Sequence, residues 1–189
     1  ATTLGDESDA RRTIDEVAVA SQAELPAGNE RDAAVRAAAA IARDVDWDVC
    51  RLCARSLALD LGQMEDHLHD IDEDERRRSH VAASVLSRAC GTSDIEALQR
   101  LYLKLRFNAF PVTGGLALFE NASALNHACA PNASLSFCEG QLSVVLGRDL
   151  KEGAEVRISY LAPRALLAPA KARRAALHTG FLFRCGCLR

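Results

Sequence analysis

An α+β fold is predicted by a change of character partway along the chain. Up to about residue 106 the sequence is rich in alanine and in charged residues, with apolar side chains recurring at helical spacing. After Phe107, glycines, prolines, β-branched residues and short apolar runs take over, as short strands and turns require. Two cysteines one residue apart, Cys185 and Cys187, mark the tail. The reading is a helical array, then a small β-rich module, then a helix and a cysteine-bearing tail.

Residues 1–28 are polar with weak periodicity and close on Pro26-Ala27-Gly28, which reads as a flexible N-terminal segment with a frayed helix and a linker. Asn29 is placed to cap a helix whose first turn carries Glu30 and Asp32, with Val35, Ala38, Ala39 and Ala42 along one face. A second helix is expected over Asp46–Leu61, where Trp47, Cys50, Ala54, Leu57 and Leu61 recur and Gly62 follows as a C-cap. A third runs from Ile71 to Cys90, capped by Asp70 and ended by Gly91. A fourth covers Asp94–Arg106, where Ser93 and Glu96 form a capping box. Ser134–Phe137, Gln141–Leu146 and Glu155–Tyr160 read as strands, separated by Cys138-Glu139-Gly140 and Lys151-Glu152-Gly153. A last helix follows Pro163 and stops at Gly180.

At 189 residues the chain has room for one domain, or one domain with a helical appendage. The net charge of −3 is uneven: Ala1–Leu105 holds 13 Lys/Arg against 21 Asp/Glu, and Arg106–Arg189 holds 10 against 5. The asymmetry reads as two solvated surfaces or, in the sharper alternative, as an acidic lobe that attracts a basic substrate segment. Basic residues are not clustered with aromatics, which argues against direct nucleic-acid binding. No apolar run approaches the roughly 20 residues of a membrane span. The polar, acidic start is unlike a secretory signal. Seven cysteines then suit a reducing, intracellular compartment, cytoplasm or nucleus, where thiols are buried or bind metal. Cys50 and Cys53 have metal spacing, but they lie within the helical pattern and lack a second pair, so they read as buried thiols.

Three motifs follow one another in the second half. Asn126-His127-Ala128-Cys129-Ala130-Pro131-Asn132 is similar to the Asn-His-x-Cys-x-Pro-Asn signature of SET domains. Gly153-Ala154-Glu155-Val156-Arg157-Ile158-Ser159-Tyr160 is similar to their second signature, and Cys185-Gly186-Cys187 to the start of the post-SET zinc motif. Asn108-Ala109-Phe110 and Leu118-Phe119 resemble the SET-and-MYND family, in which a helical insert precedes such strands. No MYND finger is visible. The resemblance implies a helical insert over residues 29–106, a SET core over 107–163 with a knotted C-terminal segment, and a helix with a partial post-SET tail over 164–189.

The resemblance also implies an activity: transfer of a methyl group from S-adenosylmethionine to a lysine of a protein substrate. Displacement at a sulfonium needs a neutral amine, aligned and close, so catalysis is largely positioning. An apolar, aromatic channel favours the neutral amine, and its π faces suit cationic sulfur or methylammonium. In this reading Tyr160 is catalytic and Phe110 walls the channel. Asn126, His127, Ser123, Asn108 and Phe183 contact the cofactor, and Pro131 forces the bend that tight threading requires.

Cys129, Cys185 and Cys187 would hold a structural zinc ion, which needs four ligands. The family's fourth cysteine would fall at position 190, so the site is expected to be truncated or completed from elsewhere. No Gly-x-Gly, the usual cofactor loop of SET domains, occurs in the chain, and it does not begin with methionine. Both features suggest part of a larger enzyme that binds cofactor weakly by itself. The competing reading is a catalytically silent SET-like protein that acts as an interaction module. Substrate, degree of methylation and oligomeric state are left open by the sequence.

Overall fold

The computed structural model describes Arg12, residues 14–16, 43–62 and 64–187, and Arg189. The helix expected after Asn29, and most of residues 1–28, lie outside the described residues. Arg12 and 14–16 are helical, and Ile14 is fully buried. The chain divides into two compact units, Ala1–Ala117 and Leu118–Arg189.

Among the described residues, the N-terminal unit carries the helices α1 (Trp47–Ser56), α2 (Glu73–Cys90) and α3 (Ile95–Asn108). Asp46 caps α1, its carboxylate accepting from the backbone N–H groups of Asp48 and Val49 at 3.1 and 3.2 Å. The helix ends at Ser56, short of the expected Leu61. Leu59 is exposed, its N–H closes a tighter turn on the Ser56 carbonyl, and the Leu61 carbonyl accepts from Lys104 Nζ at 2.8 Å. Asp72 caps α2 rather than Asp70, since Asp70 and Ile71 donate their N–H groups to the His67 carbonyl in the preceding turn. Gly91 ends α2 in the left-handed conformation, φ +66°, which glycine adopts without the steric penalty of a Cβ. On α3 the expected capping box is replaced by one residue: the Asp94 carboxylate accepts from Ala97 N at 3.0 Å, while Glu96 pairs with Arg100.

Burial of Val49, Cys50 and Cys53 from α1, Ala82, Ala83 and Leu86 from α2, and Tyr102, Leu103 and Leu105 from α3 supplies the core of this unit. Polar groups inside are bonded, with the Trp47 indole Nε1 as the exception among the described residues. Gln99 Nε2 donates to Ser79 Oγ at 2.9 Å, and the Tyr102 hydroxyl accepts from Asp46 N at 3.2 Å. Cys50 and Cys53 are fully buried, and desolvation pushes both thiols well above their ordinary pKa. They are neutral packing groups. A hairpin, β1 (Phe110–Val112) with β2 (Gly115–Ala117), follows α3, and Gly114 at φ +87° makes its tight turn.

In the C-terminal unit, a single helical turn, α4 (Glu120–Ser123), leads into β3 (Asn126–His127). A hairpin follows, β4 (Ala133–Cys138) paired antiparallel with β5 (Gln141–Leu146) through a turn at Glu139-Gly140 whose φ values are both positive. Of the strand expected over Glu155–Tyr160, only β6 (Arg157–Ile158) pairs, and it pairs parallel to β3: Asn126 lies opposite Arg157, and His127 opposite Ile158. A 3₁₀ turn (Ala165–Leu167) and α5 (Ala170–Phe181) complete the unit. α5 runs through Gly180 and reverses at Leu182, φ +57°, whose N–H bonds the His178 carbonyl. Among the described residues, no helix is long and apolar enough to cross a membrane.

Leu86 is fully buried and Leu167 is 80% exposed. Leu86→Ala is therefore expected to lower stability by about 2–5 kcal/mol and Leu167→Ala by under about 0.5 kcal/mol. Denaturant midpoints of the two variants, measured side by side, check this. Equal midpoints would contradict the placement of the helical core.

Candidate functional site: an aromatic cluster on a cysteine core

The parallel pairing of β3 with β6 brings the two sequence signatures together. Ala128 N donates to the Ile158 carbonyl at 2.8 Å, extending the pairing by one residue. Asn132 then acts as a substitute strand. Its Oδ1 accepts from Arg157 N at 2.8 Å, and its Nδ2 donates to the Glu155 carbonyl at 2.9 Å. In the sequence Asn132 is visible only as part of a motif; its clamping role depends on partners more than 20 residues away.

Directly after β6, Tyr160 N donates to His127 Nδ1 at 3.1 Å, and the Tyr160 hydroxyl donates to the Leu125 carbonyl at 2.7 Å. Both ends of the tyrosine are thus fixed to the β3 segment. The ring meets His127 at a centroid distance of 5.4 Å, Phe181 at 4.8 Å and Phe183 at 6.1 Å, and Phe183 also meets His127 at 5.9 Å. Desolvation raises the Tyr160 pKa, so the phenol is neutral at physiological pH. Phe181 was not anticipated. Its ring reaches Tyr160 because the helix continues past Gly180, and the left-handed Leu182 then returns Phe183 to the same cluster.

Below the aromatics lies the sulfur cluster. Cys129 and Cys185 are buried in the core of this unit with Leu161 and Leu177, and Tyr160, Phe181, Phe183 and Cys187 pack against them. The ligand atoms of His127, Cys129, Cys185 and Cys187 all lie within 4.8 Å of one another. Among the described residues this is the one His/Cys/Asp/Glu group close enough to share a metal ion. Cys129 and Cys185 sulfurs are 3.8 Å apart, the separation that two tetrahedral zinc thiolates with bonds of about 2.3 Å adopt. Cys185 and Cys187 are closer, 2.9 Å, well beyond a disulfide bond of about 2.05 Å. Burial, with the hydrogen bond to Cys187, pushes the Cys185 thiol up. For Cys187 burial opposes the thiolate, but hydrogen bonds from Cys185 and from the Cys129 N–H outweigh it, and its pKa falls.

His127 lies 3.3 Å from Cys129 Sγ through Nε2. Its Nδ1 accepts the Tyr160 N–H, so a neutral ring carries its proton on Nε2, facing sulfur. Burial, then the charge of Arg173, lowers its pKa and favours that neutral ring. In this arrangement His127 is a donor to Cys129 rather than a metal ligand.

Other residues expected at the site are placed as follows. Asn126 is exposed on β3, its Nδ2 donating to Glu155 Oε1 at 2.7 Å, and Glu155 is in turn paired with Arg157 at 2.6 Å. Ser123 Oγ donates to the Phe119 carbonyl at 3.0 Å, at the end of α4. Asn108, at the end of α3, donates to the Lys104 carbonyl at 2.8 Å, and Phe110 opens β1; both belong to the N-terminal unit.

The two signatures, joined by a parallel strand pair above a cysteine core, define a class. The sequence matches the SET domain over residues 35–161, and the chain belongs to that family. Within it, the chain is similar to lysine methyltransferases of the SMYD group. It is 31% identical over 137 residues to N-lysine methyltransferase SMYD2-B of Danio rerio, covering 67% of this chain and 31% of that protein. To human N-lysine methyltransferase SMYD2 it is 29% identical over 136 residues, 66% of this chain and 30% of the relative. To human histone-lysine N-methyltransferase SMYD3 it is 36% identical over 75 residues, 40% of this chain and 17% of the relative. The chain thus spans about a third of the length of the SMYD2 relatives it matches.

Asn132→Ala removes both side-chain hydrogen bonds to the β6 segment, each worth about 0.5–1.5 kcal/mol. Hydrogen exchange at the Ala128 N–H, which bonds Ile158, is expected to accelerate by on the order of 10-fold or more. An unchanged exchange rate would show that the strand pair does not rely on this clamp.

Proposed function

We propose that the chain carries the methyl-transfer chemistry of an S-adenosylmethionine-dependent protein-lysine methyltransferase. The carrying observation is Tyr160, half-buried among aromatic rings and anchored at both its N–H and its hydroxyl to the β3 segment. The Tyr160 proton is committed to the Leu125 carbonyl, which leaves the phenol oxygen as an acceptor for an amine N–H. That hydrogen bond would orient the nitrogen lone pair of a substrate lysine. The aromatic faces of Tyr160, Phe181 and Phe183 suit a cationic guest, and their apolar surroundings favour the neutral amine as nucleophile. When bound, S-adenosylmethionine supplies an electrophilic methyl group on a sulfonium. Asn126, His127, Ser123 and Phe183 are proposed to hold it: the exposed Asn126 amide offers hydrogen bonds for its polar end, and Phe183 an apolar face for its adenine. Phe110 and Asn108 keep the roles that family resemblance gives them, as do the threaded C-terminal segment and an intracellular setting.

Zinc fits the sulfur cluster, since three converging thiols and a donor-rich surround suit a soft-ligand cation. Cys129, Cys185 and Cys187 would hold it, and it would supply a structural crosslink between the tail and the first signature. His127 could serve as fourth ligand only by moving its proton to Nδ1 and giving up the Tyr160 N–H bond, so a ligand from outside this group is the better reading.

Two tests follow. In the protein carrying this chain, Tyr160→Phe is expected to lower methyl transfer by on the order of 100-fold or more with little change in stability. Wild-type turnover would remove Tyr160 from catalysis. Metal analysis is expected to find one zinc per chain, lost in Cys129→Ser; full zinc retention in that variant would rule out the three-sulfur site.

A further inference from the structure

Charge in the C-terminal unit is one-sided. Residues 156–189 hold seven Lys/Arg and no Asp or Glu. Two of the seven are engaged close at hand: Arg157 pairs with Glu155 at 2.6 Å, and Arg173 is buried on α5, its Nε donating to Cys129 Sγ at 3.4 Å. Lys171, Arg174 and Arg184 are exposed, and no carboxylate among the described residues pairs with them. Cations left without local partners on a folded surface are available to an outside anion.

Helix geometry ties these cations to the aromatic cluster. Lys171, Arg174, His178 and Phe181 recur at helical spacing and share one face of α5, while Arg173 and Leu177 turn inward. The Phe181 ring ends that face against Tyr160, at a centroid distance of 4.8 Å. At a rise of about 1.5 Å per residue, Arg174 stands about 10 Å and Lys171 about 15 Å along the helix from Phe181. Arg184 directly follows Phe183, whose ring belongs to the same cluster. A lysine seated among Tyr160, Phe181 and Phe183 leaves the rest of its peptide outside the rings, and an extended peptide advances about 3.3 Å per residue. In a peptide that runs along α5, side chains about three to five residues from that lysine therefore come over Arg174 and Lys171.

We infer that the α5 face carrying Lys171 and Arg174 is a substrate-docking strip that selects target lysines with acidic residues at that distance. The inference rests on the reading of the Tyr160 cluster as a lysine site and goes beyond it by naming the substrate class, an acidic protein segment. Carboxylates match the strip in charge and in hydrogen bonding, because Lys and Arg heads are donors only. A basic segment meets like charge here. Bases of a single-stranded nucleic acid stack on exposed aromatics beside the cations, whereas Phe181 and Phe183 are half-buried against Tyr160 and the core of this unit.

The experiment uses the protein carrying this chain and peptides with one central lysine, flanked at three to five residues by glutamate, by glutamine or by arginine. The readout is the ratio of kcat/KM for the glutamate peptide to that for the glutamine peptide. Wild type is expected to favour glutamate by about 3–10-fold, the scale of two exposed ion pairs, and to lose most of that preference above about 0.5 M salt, where surface charges are screened. The double variant Lys171→Glu/Arg174→Glu should turn the preference toward the arginine peptide, in KM rather than kcat. Arg148→Glu, a like charge change at an exposed position just after β5, should match wild type. If the doubly reversed variant does not fold, Lys171→Gln/Arg174→Gln decides: a ratio near one supports the strip, and the wild-type ratio counts against it. A wild-type ratio of one, a wild-type preference for the arginine peptide, or a preference unmoved in the double variant would overturn the inference. So would a DNA duplex that binds through Lys171 and Arg174 while the peptide ratio stays at one. Should wild type methylate none of the peptides, the lysine reading falls separately. The strip is then tested by fluorescence anisotropy of the labelled glutamate peptide, where absent binding, or equal affinity for wild type and the double variant, overturns it.

Discussion

Everything in the C-terminal unit depends on the two-residue parallel pairing of β3 with β6. Parallel neighbours need a crossover, and here the β4–β5 hairpin and the following turns fill it. Two residues of pairing are too few to be stable as an isolated ladder. Side chains reinforce it: Asn132 bonds both Arg157 and Glu155, Asn126 bonds Glu155, and His127 accepts the Tyr160 N–H. The polar residues of the two signatures thus do structural work before any ligand arrives, holding together two segments about 30 residues apart.

His127 connects three parts of the site. Its ring packs against Tyr160 and Phe183, one nitrogen fixes the Tyr160 backbone, and the other faces Cys129. A neutral imidazole has one donor and one acceptor, and here each has a partner. The side chain joins an aromatic layer suited to cations to a sulfur layer suited to a metal. Arg173 closes the sulfur layer from α5, so α5 contributes at both levels: Phe181 to the rings and Arg173 to the sulfurs.

The N-terminal unit is held differently. Its helices are fixed by apolar burial, with single-residue caps from Asp46, Asp72 and Asp94. Cys50 and Cys53 show how spacing alone misleads: the same residue type that gathers with a histidine and an arginine in the C-terminal unit is neutral filler here. Partners, rather than spacing, distinguish the two.

By itself the sequence determined the helices, the hairpin turns and the motif residues, because these rest on local physics. Period, capping chemistry and positive-φ glycines act within a few residues, so α2, α3 and the β4–β5 hairpin were legible within a few residues of their ends. The family was legible because two motifs and a cysteine pair occur in order. The tertiary structure decided where α1 stops, since the chain tightens after Ser56 and leaves Leu59 exposed, and where α5 stops, since Phe181 gains a ring partner beyond Gly180. It alone brought out Asn132 as a clamp, Phe181 as a site aromatic, His127 as a donor to sulfur and Arg173 as a buried cation. Each of those roles is defined by a partner between 21 and 44 residues away, apart from the His127–Cys129 contact, whose direction is set by Tyr160, 33 residues on. A single sequence carries no record of such pairings, because the chemistry of a side chain is fixed by its residue type, but its function by what the fold sets beside it.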